Sequence, residues 1–162
     1  VSDNSIKKEI MLQKGYDAVC YCDILGHARQ KRNTFWHKVY KHLQGIVLHR
    51  PTRVYDYRKQ YKELVGDIDK DDDVIPQIVP QWDHSPRGGR KTIIYTHSTP
   101  EYFAKHVRMA MEAIKGKKEE HQILMLKSWN EWAEGNYMEP DMTHGRGYID
   151  ALRQVVDEYK KR

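Results

Sequence analysis

The residues best suited to chemistry lie in one short segment, Trp129-Asn130-Glu131-Trp132-Ala133-Glu134-Gly135. The segment follows an apolar run over residues 122–129, which is typical of a buried strand. Carboxylates act as acid, base or nucleophile around the oxocarbenium-like transition state of glycosidic bond cleavage. Tryptophan faces stack on the apolar side of a sugar ring, and an asparagine amide hydrogen-bonds hydroxyl groups. Indole packing can also raise a carboxyl pKa by desolvation, which suits an acid catalyst. These residue types therefore indicate chemistry on sugars.

Spacing alone leaves a second interpretation of Glu131 and Glu134 open. Glutamates three residues apart lie on one side of a helical turn, and Gly135 is a typical helix end. The segment would then be an exposed turn without chemistry. Its place after a predicted strand favours an active site, because the loops after parallel strands build such sites in α/β folds.

The elements that must position this segment alternate along the chain. Apolar runs predict three strands, at residues 16–22, 76–82 and 122–129. Helical periodicity predicts helices over residues 6–11, 35–43, 55–65, 103–114 and 149–159. The clearest helix start is Ser98-Thr99-Pro100-Glu101, with a cap, a first-turn proline and an early acid. This order predicts parallel strands joined by crossover helices. Three strands cannot close a barrel, so the chain is either a small open sheet or a fragment.

Two sequence blocks resemble a known family. The first is Lys127-Ser128-Trp129-Asn130-Glu131-Trp132-Ala133-Glu134-Gly135-Asn136-Tyr137-Met138-Glu139-Pro140-Asp141, followed by Gly145-Arg146-Gly147-Tyr148. The second is Val79-Pro80-Gln81-Trp82-Asp83-His84-Ser85-Pro86-Arg87, followed by Thr99-Pro100-Glu101-Tyr102-Phe103. Both resemble the WbsX-like domain, which is associated with bacterial polysaccharide biosynthesis and related to glycoside hydrolase family 99. The resemblance is specific over residues 76–160 and looser over residues 1–75.

The resemblance implies an α/β fold of the (β/α)8 TIM-barrel type, with these blocks in the last strands. Residues 1–162 would then be the C-terminal portion of a WbsX-like domain, a partial barrel with only its C-terminal strands and helices. In the related hydrolases, one glutamate deprotonates the 2-hydroxyl of the sugar, and that oxygen attacks the anomeric carbon. The other protonates the leaving oxygen and then activates water. Carried over, the first role falls to Glu131 and the second to Glu134.

The resemblance also implies a set of substrate contacts around these glutamates. They are Trp82, Asp83, Arg87, Trp129, Asn130, Trp132, Tyr137, Glu139 and Asp141. Two positions depart from the hydrolase pattern: Ala133 stands where a histidine is usual, and His84 stands where an asparagine is usual. Ala133 favours the WbsX-like branch and weakens the expectation of mannan hydrolysis. A glycan or sugar is the expected substrate, and hydrolysis and transfer both stay open. A non-catalytic glycan-binding remnant is the alternative.

Charge is concentrated in one part of the chain. Residues 27–62 contain ten lysines and arginines against a single acid, Asp56, whereas the whole chain has a formal net charge of +5. Such clustering favours an anionic donor or phosphate at this segment, although a solvated basic face is the simpler interpretation. Nucleic-acid binding is a third hypothesis, without a recognisable motif to support it.

No cofactor or metal site is expected from the sequence. The aspartates of residues 67–73 do not meet the calcium-loop pattern, because Asp72 and Ile78 stand where glycine and glutamate are required. Cys20 and Cys22 are expected to share one face of a strand in the core.

The chain has no apolar run of the roughly 18 residues that a membrane span needs. We expect a cytoplasmic location, with a membrane-peripheral one as the alternative. The first residue is Val1, so the N-terminus looks truncated and leaves the signal-peptide status undetermined. The missing partner strands lead us to expect association with the N-terminal half of the barrel or self-association.

Overall fold

The computed structural model describes residues 3–21, 39, 43, 53–89 and 92–161. Its helices are α1 (Asp3–Gln13), α2 (Tyr57–Gln60), α3 (Ser85–Gly88), α4 (Pro100–Ile114) and α5 (Gly147–Lys160). Its strands are β1 (Val19–Cys20), β2 (Arg53–Asp56), β3 (Val74–Ile75), β4 (Gln77–Ile78), β5 (Ile93–Thr96), β6 (Met125–Leu126), β7 (Asn130–Glu131) and β8 (Asn136–Tyr137). Short 3-10 turns cover Tyr61–Glu63, Asp67–Lys70, Glu119–His121 and Trp132–Glu134.

The helix start at Ser98-Thr99-Pro100-Glu101 is confirmed. Thr99 is the N-cap of α4, and its hydroxyl accepts a hydrogen bond from the backbone N of Tyr102 at 3.4 Å. Phe103, Val107 and Ile114 are buried along one face of this helix. That face packs on α5 and on Ile78 and Met138, so the two long helices cover one side of the sheet.

The prediction of adjacent parallel strands is confirmed in part: β4 and β6, within the predicted strands 76–82 and 122–129, pair in parallel, whereas β1 pairs with residues just before the predicted strand 76–82. Strand β1 pairs with β3, with Val19 opposite Val74, and β4 pairs with β6, with Ile78 opposite Leu126. Pro76 separates β3 from β4 because proline has no N–H to donate to a ladder. Residues 74–78 thus pair with β1 through β3 and with β6 through β4, in two separate two-stranded sheets.

The fold class is α/β, and the described residues do not form a closed barrel. The partial (β/α)8 arrangement therefore remains a prediction. Side chains alternate along residues 123–126, which include β6. Ile123 and Met125 are 47% and 45% exposed, whereas Leu124 and Leu126 pack against the core. One face of this edge of the sheet is thus uncovered apolar surface.

The prediction of a helix over residues 55–65 is wrong in its first part. Arg53–Asp56 is strand β2, which pairs in parallel with β5, a strand missing from the predicted set. Asp56 ends the strand because its carboxylate accepts from the backbone N of Arg58 and caps α2. The β-branched and aromatic run Ile93-Ile94-Tyr95-Thr96 is the signal that identifies β5.

A second core cluster is aromatic and lies behind the residues of the second sequence block. It comprises Tyr55, Tyr57, Tyr61, Val79, Trp82 and Tyr95. The Tyr57 hydroxyl donates to the carbonyl of Val79 and lies 3.1 Å from Nδ1 of His106, which is completely buried. This cluster anchors the chain immediately before Asp83.

Several predicted features lie wholly or mostly outside the described residues. They are Cys22, most of the basic segment 27–62, and the predicted helix over residues 35–43 except for Val39 and Leu43.

In the acidic loop, Lys8 forms ion pairs with Asp71 at 2.8 Å and Asp73 at 3.1 Å. Among the described helices, none is long and apolar enough to cross a membrane.

Candidate functional site

The predicted turn at Trp132-Ala133-Glu134 exists and is the tip of a hairpin. Strands β7 and β8 pair antiparallel, with Asn130 opposite Tyr137 and Glu131 opposite Asn136. Gly135 ends the turn at φ +52°, a left-handed conformation that favours glycine. A Cβ here would also lie 2.9 Å from both Cβ and backbone N of Asp83. The exposed-turn interpretation is therefore right about local structure, but the turn is docked on the neighbouring strand end.

Asn136 fixes the base of the hairpin to two strand ends. Its side chain is completely buried, and its Nδ2 donates to the carbonyls of Gln81 at 2.7 Å and Lys127 at 2.9 Å. Its Oδ1 accepts from the Ser128 hydroxyl at 2.7 Å. All hydrogen-bonding groups of this amide are thus occupied, which specifies one arrangement of the three segments. Asn136 was absent from the predicted contacts.

The carboxyl group of Glu134 lies beside two side-chain nitrogen atoms from the second block. Its Oε1 is 3.4 Å from Nη1 of Arg87 and 3.6 Å from Nε2 of His84. The Glu134 side chain is 22% exposed, against 62% for Arg87. Two sequence blocks about fifty residues apart therefore meet at Glu134, as the adjacent strand ends predicted.

Asp83 organises the helix that carries Arg87. Its Oδ1 accepts from the backbone N of Ser85 at 2.9 Å, at the start of α3. Its backbone pairs with Ile94 of β5 in an isolated antiparallel bridge. Asp83 therefore sets the path of the chain between β4 and α3, in addition to its predicted role as a sugar contact.

Trp82 is placed differently from the other tryptophans of the predicted site. It is 6% exposed, within the aromatic core cluster, and Nζ of Lys127 lies 5.3 Å from its ring centroid. Its indole Nε1 is buried and has no hydrogen-bond partner among the described residues. A direct contact between Trp82 and a sugar stays a prediction, whereas its packing role is observed.

Trp132 is exposed but fixed in position. Its ring stacks on Tyr137, with centroids 3.7 Å apart and planes 13° apart. Its Nε1 donates to Oε2 of Glu139 at 2.6 Å. Trp129, at the start of the hairpin, is 49% exposed, and its carbonyl accepts from the backbone N of Met138 at 2.8 Å. Asn130 and Glu131 are also exposed on β7.

Asp141 supports Tyr137 from the following turn. Burial raises the pKa of Tyr137, and the neighbouring Asp141 carboxylate adds to this rise. Burial also acts to raise the pKa of Asp141, but hydrogen bonds from the backbone N–H groups of His144 and Thr143 outweigh it and lower that pKa. Asp141 therefore lies near Tyr137, which in turn stacks on Trp132.

One concave region of the described residues lies away from the hairpin. A cavity of about 650 Å³ lies between α4, α5 and the turn at Asp67–Lys70, lined in part by Arg108, Glu112 and Tyr159. Within the described residues, no group of three or more histidine, cysteine, aspartate or glutamate side chains is arranged to hold a metal ion.

The described residues form an α/β fold in which the hairpin docks on a neighbouring strand end. The sequence profile described as "Glycosyltransferase WbsX" matches residues 1–152, and the chain belongs to that family. Two curated relatives, each named "Uncharacterized protein WxcX", come from Xanthomonas campestris pv. campestris strains B100 and ATCC 33913. Each is 31% identical over 104 residues, which cover 64% of this chain and 15% of the relative. No solved structure matches the chain significantly.

Proposed function

We propose that this chain is the C-terminal portion of a carbohydrate-active domain that acts on glycosidic bonds, with Glu131 and Glu134 as its catalytic carboxyl groups. The observation that carries the proposal is the docking of the hairpin. The turn that holds Glu134 lies at the C-terminal ends of adjacent parallel strands, against Asp83 and Arg87.

The proposed reaction uses the two carboxyl groups differently. Glu131 takes the proton of the sugar 2-hydroxyl, and O2 attacks the anomeric carbon as the glycosidic C–O bond breaks. The leaving oxygen receives the proton of Glu134. Glu134 then takes a proton from water. The water oxygen attacks the anomeric carbon and breaks the bond between that carbon and O2. O2 regains its proton from Glu131, so both carboxyl groups return to their starting states. In glycosyl transfer, the hydroxyl of an acceptor sugar replaces the water.

The two glutamates differ in exposure and in neighbours. Glu131 is exposed on β7, where a bound sugar can present its hydroxyl. Glu134 is less exposed and has the Arg87 guanidinium and the His84 imidazole within reach, which hold its carboxyl group in one place. Of the predicted contacts, Asn130 lies on the same strand as Glu131, and Trp129 immediately precedes it.

The test substitutes each glutamate in the complete domain. Glu131→Gln and Glu134→Gln are each expected to lower turnover of unactivated oligosaccharides by about 10²- to 10⁴-fold, with folding and binding retained. Glu120→Gln, in the turn before β6, is the matched control. Near-normal rates in either glutamine variant would show the role assignment to be wrong. Product stereochemistry and dependence on an added nucleotide sugar separate hydrolysis from transfer.

A non-catalytic glycan-binding role has its own supporting observation. Trp129 and Trp132 are about half exposed on an open hairpin, which suits binding without turnover. Glycan binding by a complete domain that neither hydrolyses nor transfers sugars would favour this second candidate.

A further inference from the structure

Trp132 is the most constrained of the exposed side chains at the hairpin. Tyr137 covers one face of its indole at a centroid distance of 3.7 Å. The residue is nevertheless 48% exposed, so the opposite face is open to solvent. An exposed tryptophan ordinarily loses rotamer freedom when a ligand orders it, and that loss weakens binding. Here the stack and the bond to Glu139 impose the order beforehand.

The support behind this ring extends over three residues. The Asp141 carboxylate lies close enough to Tyr137 to help raise its pKa. Asp141 accepts at Oδ1 from the backbone N of Thr143 at 2.8 Å and from that of His144. The indole N–H of Trp132 is likewise engaged with Glu139, which leaves the open indole face as the surface presented to a ligand.

The charges around the ring restrict what this face can accept. From Ser128 to Thr143 the chain has four carboxylates and no lysine, arginine or histidine. Arg87, which reaches this region from α3, lies against Glu134. Among the described residues, the carboxylates of this segment would oppose a negatively charged ring, whereas an uncharged ring would stack without that opposition.

We propose that the open face of the Trp132 indole is a preformed subsite for one uncharged pyranose ring. Tyr137, Glu139 and Asp141 are positioning residues, which hold the indole and do not touch the sugar. The inference rests on the carbohydrate-related function proposed above, and it assigns to Tyr137, Glu139 and Asp141 a different role from that of direct substrate contacts.

The first measurement needs no ligand. The indole Nε1–H resonance of Trp132, assigned with Trp132→Phe, reports the bond to Glu139 in ¹⁵N spectra of the full chain. Glu139→Ala is expected to speed solvent exchange of this proton about tenfold, because its acceptor is lost. Glu139→Gln keeps an acceptor oxygen and should exchange slowly, and Glu120→Ala is the control for removal of a carboxylate. Equal exchange in wild type and Glu139→Ala would overturn the positioning role.

The second measurement titrates defined sugars and follows the same resonance. The probes are methyl α-mannopyranoside, methyl β-galactopyranoside, methyl β-glucopyranoside and methyl β-glucuronide, the last two differing only in a carboxylate at C6. At least one neutral glycoside should shift the resonance, and the glucuronide should bind about tenfold more weakly than the glucoside or not at all. Tyr137→Ala and Glu139→Ala should weaken the neutral interaction about two- to tenfold.

Binding by Glu139→Gln separates a positioning role from direct contact. If Glu139 only holds the indole, the glutamine variant binds neutral sugar as wild type does. Loss of binding in Glu139→Gln while the indole stays ordered would mean that the carboxylate touches the sugar. No shift with any neutral glycoside, or an equal response to the glucuronide, would also overturn the proposal. None of these titrations needs turnover, so sugar binding at Trp132 in an inactive domain would contradict the proposed catalysis alone.

Discussion

The backbone N–H of Asp83 donates to the carbonyl oxygen of Glu134 at 3.0 Å. This is one of the bonds that join the chain after β4 to the hairpin after β6, and it lies where Gly135 approaches Asp83. The backbone of Glu134 is therefore fixed to the neighbouring strand end, independently of the contacts that the Glu134 side chain makes.

Substitution of Gly135 tests this close approach. Gly135→Ala must place a Cβ 2.9 Å from Asp83 at φ +52°, whereas Gly145→Ala meets nothing within 4 Å at φ +54°. The left-handed conformation costs about 1–2 kcal/mol in either variant. Gly135→Ala should lower the free energy of unfolding in urea by at least about 2 kcal/mol more than Gly145→Ala. Equal losses would show that the contact with Asp83 carries no energetic weight.

Asn136→Asp should destabilise the base of the hairpin without changing its size. The new carboxylate oxygen replaces an amide that donates to Gln81 and Lys127, so a buried acceptor faces two carbonyl oxygens. We expect a loss of about 2–4 kcal/mol in urea unfolding at pH 7. Ser128→Ala removes one bond to the same amide and is the milder comparison. A variant as stable as wild type would contradict the observed network.

Acid should weaken the fold through His106. Burial lowers the pKa of this histidine to about 4, so the folded protein keeps it neutral where the unfolded chain, near pKa 6.5, binds a proton. Its contribution to stability is complete above about pH 6.5 and is lost as the pH falls towards 4, by roughly 3 kcal/mol. His106→Gln should remove this part of the pH dependence. The exposed His97→Gln should retain it, and unchanged slopes in both variants would disprove the assignment.

Self-association of the isolated chain should depend on the uncovered face of the sheet. Ile123 and Met125 are exposed there beside the short strand β6. We expect the 162-residue chain to show concentration-dependent oligomers in size-exclusion chromatography. The double variant Ile123→Thr/Met125→Thr should shift this equilibrium towards the monomer, and Val54→Thr, also on an exposed position, should not. A compact wild-type monomer with one cooperative unfolding transition would contradict the prediction.

The sequence predicts those elements whose signals are local. Thr99 and Pro100 identify the start of α4, and the three apolar runs contain β1, β4 and β6. It misses β2 because the apolar residues from 53 to 63 recur at helical spacing, although this stretch contains a strand followed by short helical turns. The support of the site is missed for another reason: Asn136 and His84 have ordinary residue types, and only the tertiary arrangement places them beside Gln81 and Glu134.

The hairpin also makes the proposed site a late product of folding. Helix α4 can begin from its own cap, within a few residues of chain. The Asn136 side chain, by contrast, reaches Gln81 across 55 residues, and Arg87 reaches Glu134 across 47. Loop closure over such distances must precede these bonds, so helices can form while the two glutamates still lack their final placement. Activity, once assayed, would therefore report completed long-range assembly, which helix content alone cannot do.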